Sequence, residues 1–285
     1  MTPTAPLFAR PLLATEHSEF DVGAERVALA LARQRDGVLA GVLPIVGNPE
    51  FDAVAPALAA RADAAAADKL QRLQALAAAQ GVRLTVQVRR GPELYREIVD
   101  AAGAAQADLI IIRRRGHTGL LANLLMGEMV SKVVAHAPCS VLVNARGAQL
   151  WRRRVLVAVD PAAVHRGAVA LAARVAVAFE LPLMVVCVAE AGAGAAEAGQ
   201  SLAAAVAHAR ALGAAAEGEV LAGKPHAQIL DAAHRHSADL IALARHGATR
   251  LARAWVGSVA QKVIGLADCP VLVCVSPTAA EEGAT

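Results

Sequence analysis

The chain has 285 residues, enough for two domains of about 140 residues, each with its own core. Hydrophobic residues make up 56% of it, but much of this is alanine, and the longest strongly apolar run, Leu181 to Ala189, contains Pro182 and is too short for the ~20 residues a bilayer span needs. A net charge of +3 with only 2% aromatic residues offers nucleic acid few stacking platforms, and Arg10-Pro11 breaks any leader-like apolar run, so no membrane partner is expected, nucleic acid is a poor fit, and a cytoplasmic protein is expected.

Short Val-, Ile- and Leu-rich runs alternate with alanine-rich segments of helical length. In the first half the pattern predicts strands at Leu12–Thr15, Val38–Leu43, Val82–Val88, Leu109–Ile112 and Val141–Val143. Helices are predicted between them at Val22–Gln34, Ala53–Ala79, Pro92–Ala102 and Glu128–His136. The second half repeats the order. Its strands are Val155–Asp160, Leu183–Val188, Ala215–Leu221, Leu240–Ala244 and Val271–Val275, and its helices Ala163–Phe179, Ala195–Leu212, Pro225–His236 and Ser258–Leu266. Continuously apolar strands indicate sheets covered on both faces, and strict alternation with helices indicates parallel pairing. The fold class is therefore α/β, with two tandem open five-stranded parallel sheets.

The repeat is visible in individual residues. Ala107-Asp108-Leu109-Ile110 matches Ala238-Asp239-Leu240-Ile241, and Asp108 and Asp239 stand 131 residues apart, as do Gly116 and Gly247. The boundary falls in the Gly- and Arg-bearing segment Arg146–Arg153, giving domains at 1–147 and 152–285. The last strand of each half is short and apolar, an edge that would expose unpaired backbone groups. Pairing these two strands predicts an intramolecular pseudo-dimer, with a further homodimer left open.

The four cysteines, Cys139, Cys187, Cys269 and Cys274, form no C-x-x-C pair and read as buried thiols in a reducing compartment. His226, His234 and His236 lie on or near one predicted helix without the i, i+4 spacing of a metal site. Gly-x-Ser-x-Gly and P-loop patterns are both absent, and Ser258 has no base evident in the sequence.

Three pieces of the second half suit a mononucleotide. Asp160 closes the first strand with a carboxylate able to accept from ribose hydroxyls or an adenine amine. Arg245-His246-Gly247 follows the fourth strand, where glycine permits close approach of backbone amides to phosphate, with His246 a further donor. Gly257-Ser258 then opens a helix whose free amides and dipole favour an anion. Taken singly, Asp160 reads as well as a helix cap and Gly247 as a plain turn. It is their joint occurrence, in the right strand order, that argues for a site.

The strand ending in Asp, the Ala-Asp-Leu-Ile run, Gly-x9-Gly-Ser and the terminal Cys-Pro-Val-Leu-Val resemble the universal stress proteins, over both halves, in the manner of tandem members. Nucleotide-binding members carry Gly-x2-Gly-x9-Gly-Ser/Thr for ATP phosphates. The second half matches at Gly247, Gly257 and Ser258 and has Ala244 for the first glycine. Leu243 falls where the family packs a side chain on adenine, although a core residue would look the same. The resemblance implies a stress-response regulator that binds ATP in its second domain, any Mg2+ arriving with the nucleotide. An interaction scaffold and a weak ATP hydrolase are the alternatives, and the protein partners are unknown. The first half departs further: Arg113 replaces the first glycine, ten residues separate Gly116 from Gly127, Glu128 replaces the hydroxyl residue and Glu16 the strand-end aspartate. A degenerate first site is expected, with the Glu128 carboxylate lying where a phosphate would.

Overall fold

The computed structural model describes residues 6–16, 19–47, 54, 56–114, 127–162, 166–189, 194–245 and 256–275. They fall into two compact units, one drawn from residues 8–150 and the other from residues 6–7 and Trp151 onwards. In the first unit the strands are β1 (Pro11–Ala14), β2 (Val38–Val46), β3 (Arg83–Gly91), β4 (Leu109–Arg113) and β5 (Ser140–Asn144), with helices α1 (Val22–Arg33), α2 (Pro56–Ala79), α3 (Leu94–Ala104) and α4 (Glu128–His136). In the second they are β6 (Val155–Val159), β7 (Leu183–Ala189), β8 (Ala216–Ala222), β9 (Leu240–Ala244) and β10 (Val271–Cys274), with α5 (Arg166–Ala178), α6 (Ala195–Ala211), α7 (Pro225–Arg235) and α8 (Ser258–Leu266).

Within the first unit the strand order is β3-β2-β1-β4-β5, and all four pairings are parallel. Within the second it is β8-β7-β6-β9-β10, again wholly parallel. Each chain half therefore starts at the centre of its sheet, works outward to one side, then crosses back to the other. The carboxyl ends of β1 and β4, and of β6 and β9, flank the point where this reversal opens a crevice.

The inner strands are buried along almost their whole length, as continuous apolar runs require; β4 and β5 are buried throughout and β7 likewise. The outermost strands differ. β3 is exposed at Arg83, Thr85, Gln87, Val88 and Arg90, and β8 at Glu217, Gly218 and Val220, because each has a neighbour on one side only among the described residues. Helix α1 lies tight on the sheet, burying Ala24, Val27, Ala28, Leu31 and Ala32 at helical spacing. Gly23 makes that approach possible, since a Cβ there would collide with the Ala145 carbonyl oxygen. The long α2 contrasts with it, burying only Ala66, Leu73 and Ala77. Helix α5 begins at Arg166 among the described residues, and the expected start at Ala163 lies outside them. No helix among the described residues is long and apolar enough to cross a membrane.

The repeated aspartates act structurally, at the amino ends of the strands. Asp239 accepts from the backbone N–H groups of Arg152 (2.7 Å), Arg153 (3.0 Å) and Arg154 (3.1 Å), fixing the lead-in to β6. Asp108 accepts likewise from Ala9 (2.5 Å) and Arg10 (3.0 Å) ahead of β1. The Asp239 side chain is 18% exposed, so losing it strands partly desolvated amides. Asp239→Ala is expected to cost about 1–3 kcal/mol in urea unfolding, and Asp239→Asn, which keeps one acceptor, clearly less.

Burial pushes the thiols of Cys139, Cys269 and Cys274 up to about 12 and that of Cys187 up to about 11, with the Asp108 charge adding to the effect at Cys139 and that of Asp160 at Cys187. All four stay protonated at neutral pH and are poor nucleophiles. Because the folded values lie above the ordinary thiol range, their contribution to stability is complete below about pH 8.5 and is lost as pH rises towards 11–12. Native protein at pH 8 is expected to resist iodoacetamide, while urea-unfolded protein takes up label on all four thiols.

Candidate functional site

In the second half the carboxyl ends of β6 and β9 meet the start of α8. Asp160 stands one residue beyond β6, and its Oδ1 accepts from the Ala162 N–H at 2.9 Å, so part of its capacity closes the following turn. Ser201 of α6 donates to the Pro161 carbonyl at 2.9 Å and holds that turn from the side. Leu243 sits in β9 between Ala158 of β6 and Val273 of β10 and is 5% exposed, which makes it a core residue in this structure. Ala244 ends the strand half-buried, a methyl group where a longer side chain would enter the crevice.

Arg245 then ties the two flanks of the site together. Its N–H donates to the Cys274 carbonyl at 3.2 Å, and its own carbonyl accepts from Gly257 N–H at 3.0 Å. The chain thus leaves β9 and returns to the same point to begin α8. Gly257's amide is committed to this closure and is not one of the free donors, a correction to the idea that the whole helix tip is unsatisfied. The amides of Ser258, Val259 and Ala260 remain: the first turn of a helix has no internal acceptors for them, and among the described residues no side chain caps this end. The first intrahelical bond runs from Gln261 N–H to the Gly257 carbonyl at 2.9 Å. Gln261 also donates through Nε2 to the Val256 carbonyl at 3.0 Å, fixing the residue ahead of the cap. No acidic residue occupies the first turn of α8. Arg245 is half-buried, and desolvation lowers its pKa, a feature that sequence reading passed over. His246 and Gly247 lie outside the described residues.

The first half has the same backbone and different side chains. Gly127 precedes α4 with φ −56° and ψ 144°, matching Gly257 at −57° and 145°, and neither helix start has a side-chain cap. Glu128 does not lie over the helix tip as expected. Its side chain is 82% exposed and pairs with Lys132 one turn along at 2.9 Å, which lowers its pKa. Side chains at i, i+4 reach each other along the helix surface, which here turns the Glu128 carboxylate towards Lys132.

The strand end is what differs. Arg113, 4% exposed at the end of β4, donates through Nη2 to Glu16 Oε2 and lies with Nε 2.9 Å from Asp21 Oδ1. Asp21 is on the short turn Glu19–Asp21 leading into α1 and is fully buried. Among the described residues Arg113 Nη1 finds no hydrogen-bond acceptor, so the two carboxylates, rather than a complete set of hydrogen bonds, hold the group there. Beside it, Glu25 accepts from Thr15 Oγ1 at 2.6 Å and pairs with Lys69 of α2 at 2.6 Å, all three largely buried. Asp21, Glu25 and Lys69 were not anticipated from sequence. The available signal was a carboxylate at position 25 inside the apolar stripe of α1, which implies a buried partner.

The sequence pattern of the universal stress protein family matches residues 8–144 and 152–275. Universal stress protein MJ0531 of Methanocaldococcus jannaschii is 46% identical over 59 residues; the match covers 21% of this chain and 35% of that relative, about a third of its length. A solved universal stress protein from Archaeoglobus fulgidus has the same fold, with a TM-score of 0.76, 19% identity, and coverage of 96% of this chain and 99% of its own. Another from Archaeoglobus fulgidus, solved in complex with dAMP, is 29% identical over 44% of this chain and 98% of its own, with a TM-score of 0.36. With both halves of the sequence matched, the chain belongs to the universal stress protein family.

Proposed function

We propose that the second half binds an adenine nucleotide, ATP, and that the chain acts as a nucleotide-dependent regulator in the stress response. One observation carries this reading: α8 starts, among the described residues, with three uncapped amides and no acid in its first turn, tied by Gly257 to Arg245 at the end of β9. A helix start of this kind favours phosphate through both its hydrogen bonds and its dipole. Asp160 would take a ribose hydroxyl, Ser258 would add a hydroxyl to the phosphate contacts, and Gly257 keeps the helix tip free of a side chain. Arg245 is tethered to Gly257 through its backbone carbonyl, and its guanidinium is proposed as a further phosphate contact. His246 and Gly247 belong to the same proposal from sequence.

The first half is proposed not to bind nucleotide. A scaffold with no ligand at all is the second reading, and Ala244 favours it, because its methyl group narrows the turn that glycine opens in nucleotide-binding relatives. Equilibrium dialysis against millimolar ATP separates the two. Binding is expected for the wild type, and Gly257→Glu, which sets a carboxylate at the start of α8, is expected to abolish it. Gly127→Glu is expected to change it less than about twofold. Absence of ATP from the wild type favours the scaffold, and equal losses in the two variants contradict the division of roles.

A further inference from the structure

Building on the proposed nucleotide site in the second half, we infer that Arg113 is a built-in occupant of the first half's crevice, a fixed guanidinium that closes it to nucleotide. The strand registers make the comparison direct. Ala14 pairs with Ile112 where Ala158 pairs with Leu243, so Arg113 and Ala244 occupy matching positions, and so do Glu16 and Asp160. Where the second half presents a methyl group, the first presents a guanidinium between two carboxylates. The carboxylate that would meet a ribose is engaged with Arg113. The helix tips do not discriminate, since Gly127 and Gly257 share one backbone conformation and both starts are uncapped.

Charge reinforces the steric argument. Arg113 with Glu16 and Asp21 carries a net negative charge, and the adjoining Glu25–Lys69 pair adds none. A polyanion entering this crevice meets that net negative charge. Drawing Arg113 out to greet it would break its ion pair with the fully buried Asp21, at a loss of roughly two to three orders of magnitude in affinity. In the second half the same count from the strand end puts buried, uncharged Val169 of α5 where Glu25 stands in α1. The first half therefore holds its strand ends together by itself, without a ligand.

The test is photolabelling of the full chain with 8-azido-ATP, followed by peptide mass spectrometry and by equilibrium dialysis with ATP. Wild-type label is expected within residues 152–275 and not within 8–144. In Arg113→Gly/Asp21→Asn, with folding verified by circular dichroism, label is expected to appear in the first half and bound ATP to rise from one to two per chain. Label in the first half of the wild type overturns the inference, as does a folded double variant with unchanged stoichiometry. If the double variant does not fold, Ala244→Arg transplants the occupant: a loss of about 100-fold or more in ATP affinity is expected, and wild-type affinity overturns the inference. A wild type that binds no ATP defeats the second-half assignment alone. In that case the double variant is still expected to bind one ATP, and its failure to do so defeats this inference separately.

Discussion

Parallel pairing is the constraint from which the candidate site follows. When every strand of a sheet runs the same way, all the carboxyl ends emerge along one edge, and each helix that follows a strand starts there. In both halves the first strand lies at the centre and the chain fills one flank before the other, so the ends of β1 and β4, and of β6 and β9, part around a crevice. No residue has to be specialised for that crevice to exist. What the residues decide is whether it stays open.

The duplication separates scaffold from site. Residues shared by the halves hold the architecture: Asp108 and Asp239 gather backbone amides ahead of the central strands, and Gly127 and Gly257 start their helices in one conformation. Residues that differ cluster at the strand tips. Arginine at position 113 needs buried carboxylates around it, and Glu16 and Asp21 supply them; alanine at 244 needs none. A buried guanidinium without such partners would be severely penalised, so the arginine and its acids form a single unit. The exposed Glu128–Lys132 pair is a surface feature of little consequence for the crevice.

Much of this was legible in the sequence, for definite reasons. The short continuous apolar run Leu240–Ala244 and the helical segment opening at Ser258 are both marked in the sequence, and the structure ends both elements where the sequence reading did. The strands β3 and β8 were also recognisable, but their exposure was not, because strand order is a property of the whole sheet. Side-chain pairing across the chain was the least legible. Arg113 meets Asp21 from a strand far along the chain, and Lys69 reaches Glu25 from another helix, so no local pattern announces either contact. Leu243 reads equally as an adenine contact or a core residue in the sequence, and the structure places it, buried, in β9 between β6 and β10. The use of Gly257's amide to close onto Arg245 likewise depends on backbone geometry that spacing alone does not reveal.

The central claim is that one helix start in the second half receives phosphate and its twin in the first does not. Amide hydrogen exchange followed by mass spectrometry, with and without ATP, reads both helix starts in a single experiment. The account predicts slowed exchange in peptides covering residues 256–262 with no change in those covering 127–133. Equal protection of both, or protection of the first-half peptides alone, would contradict it.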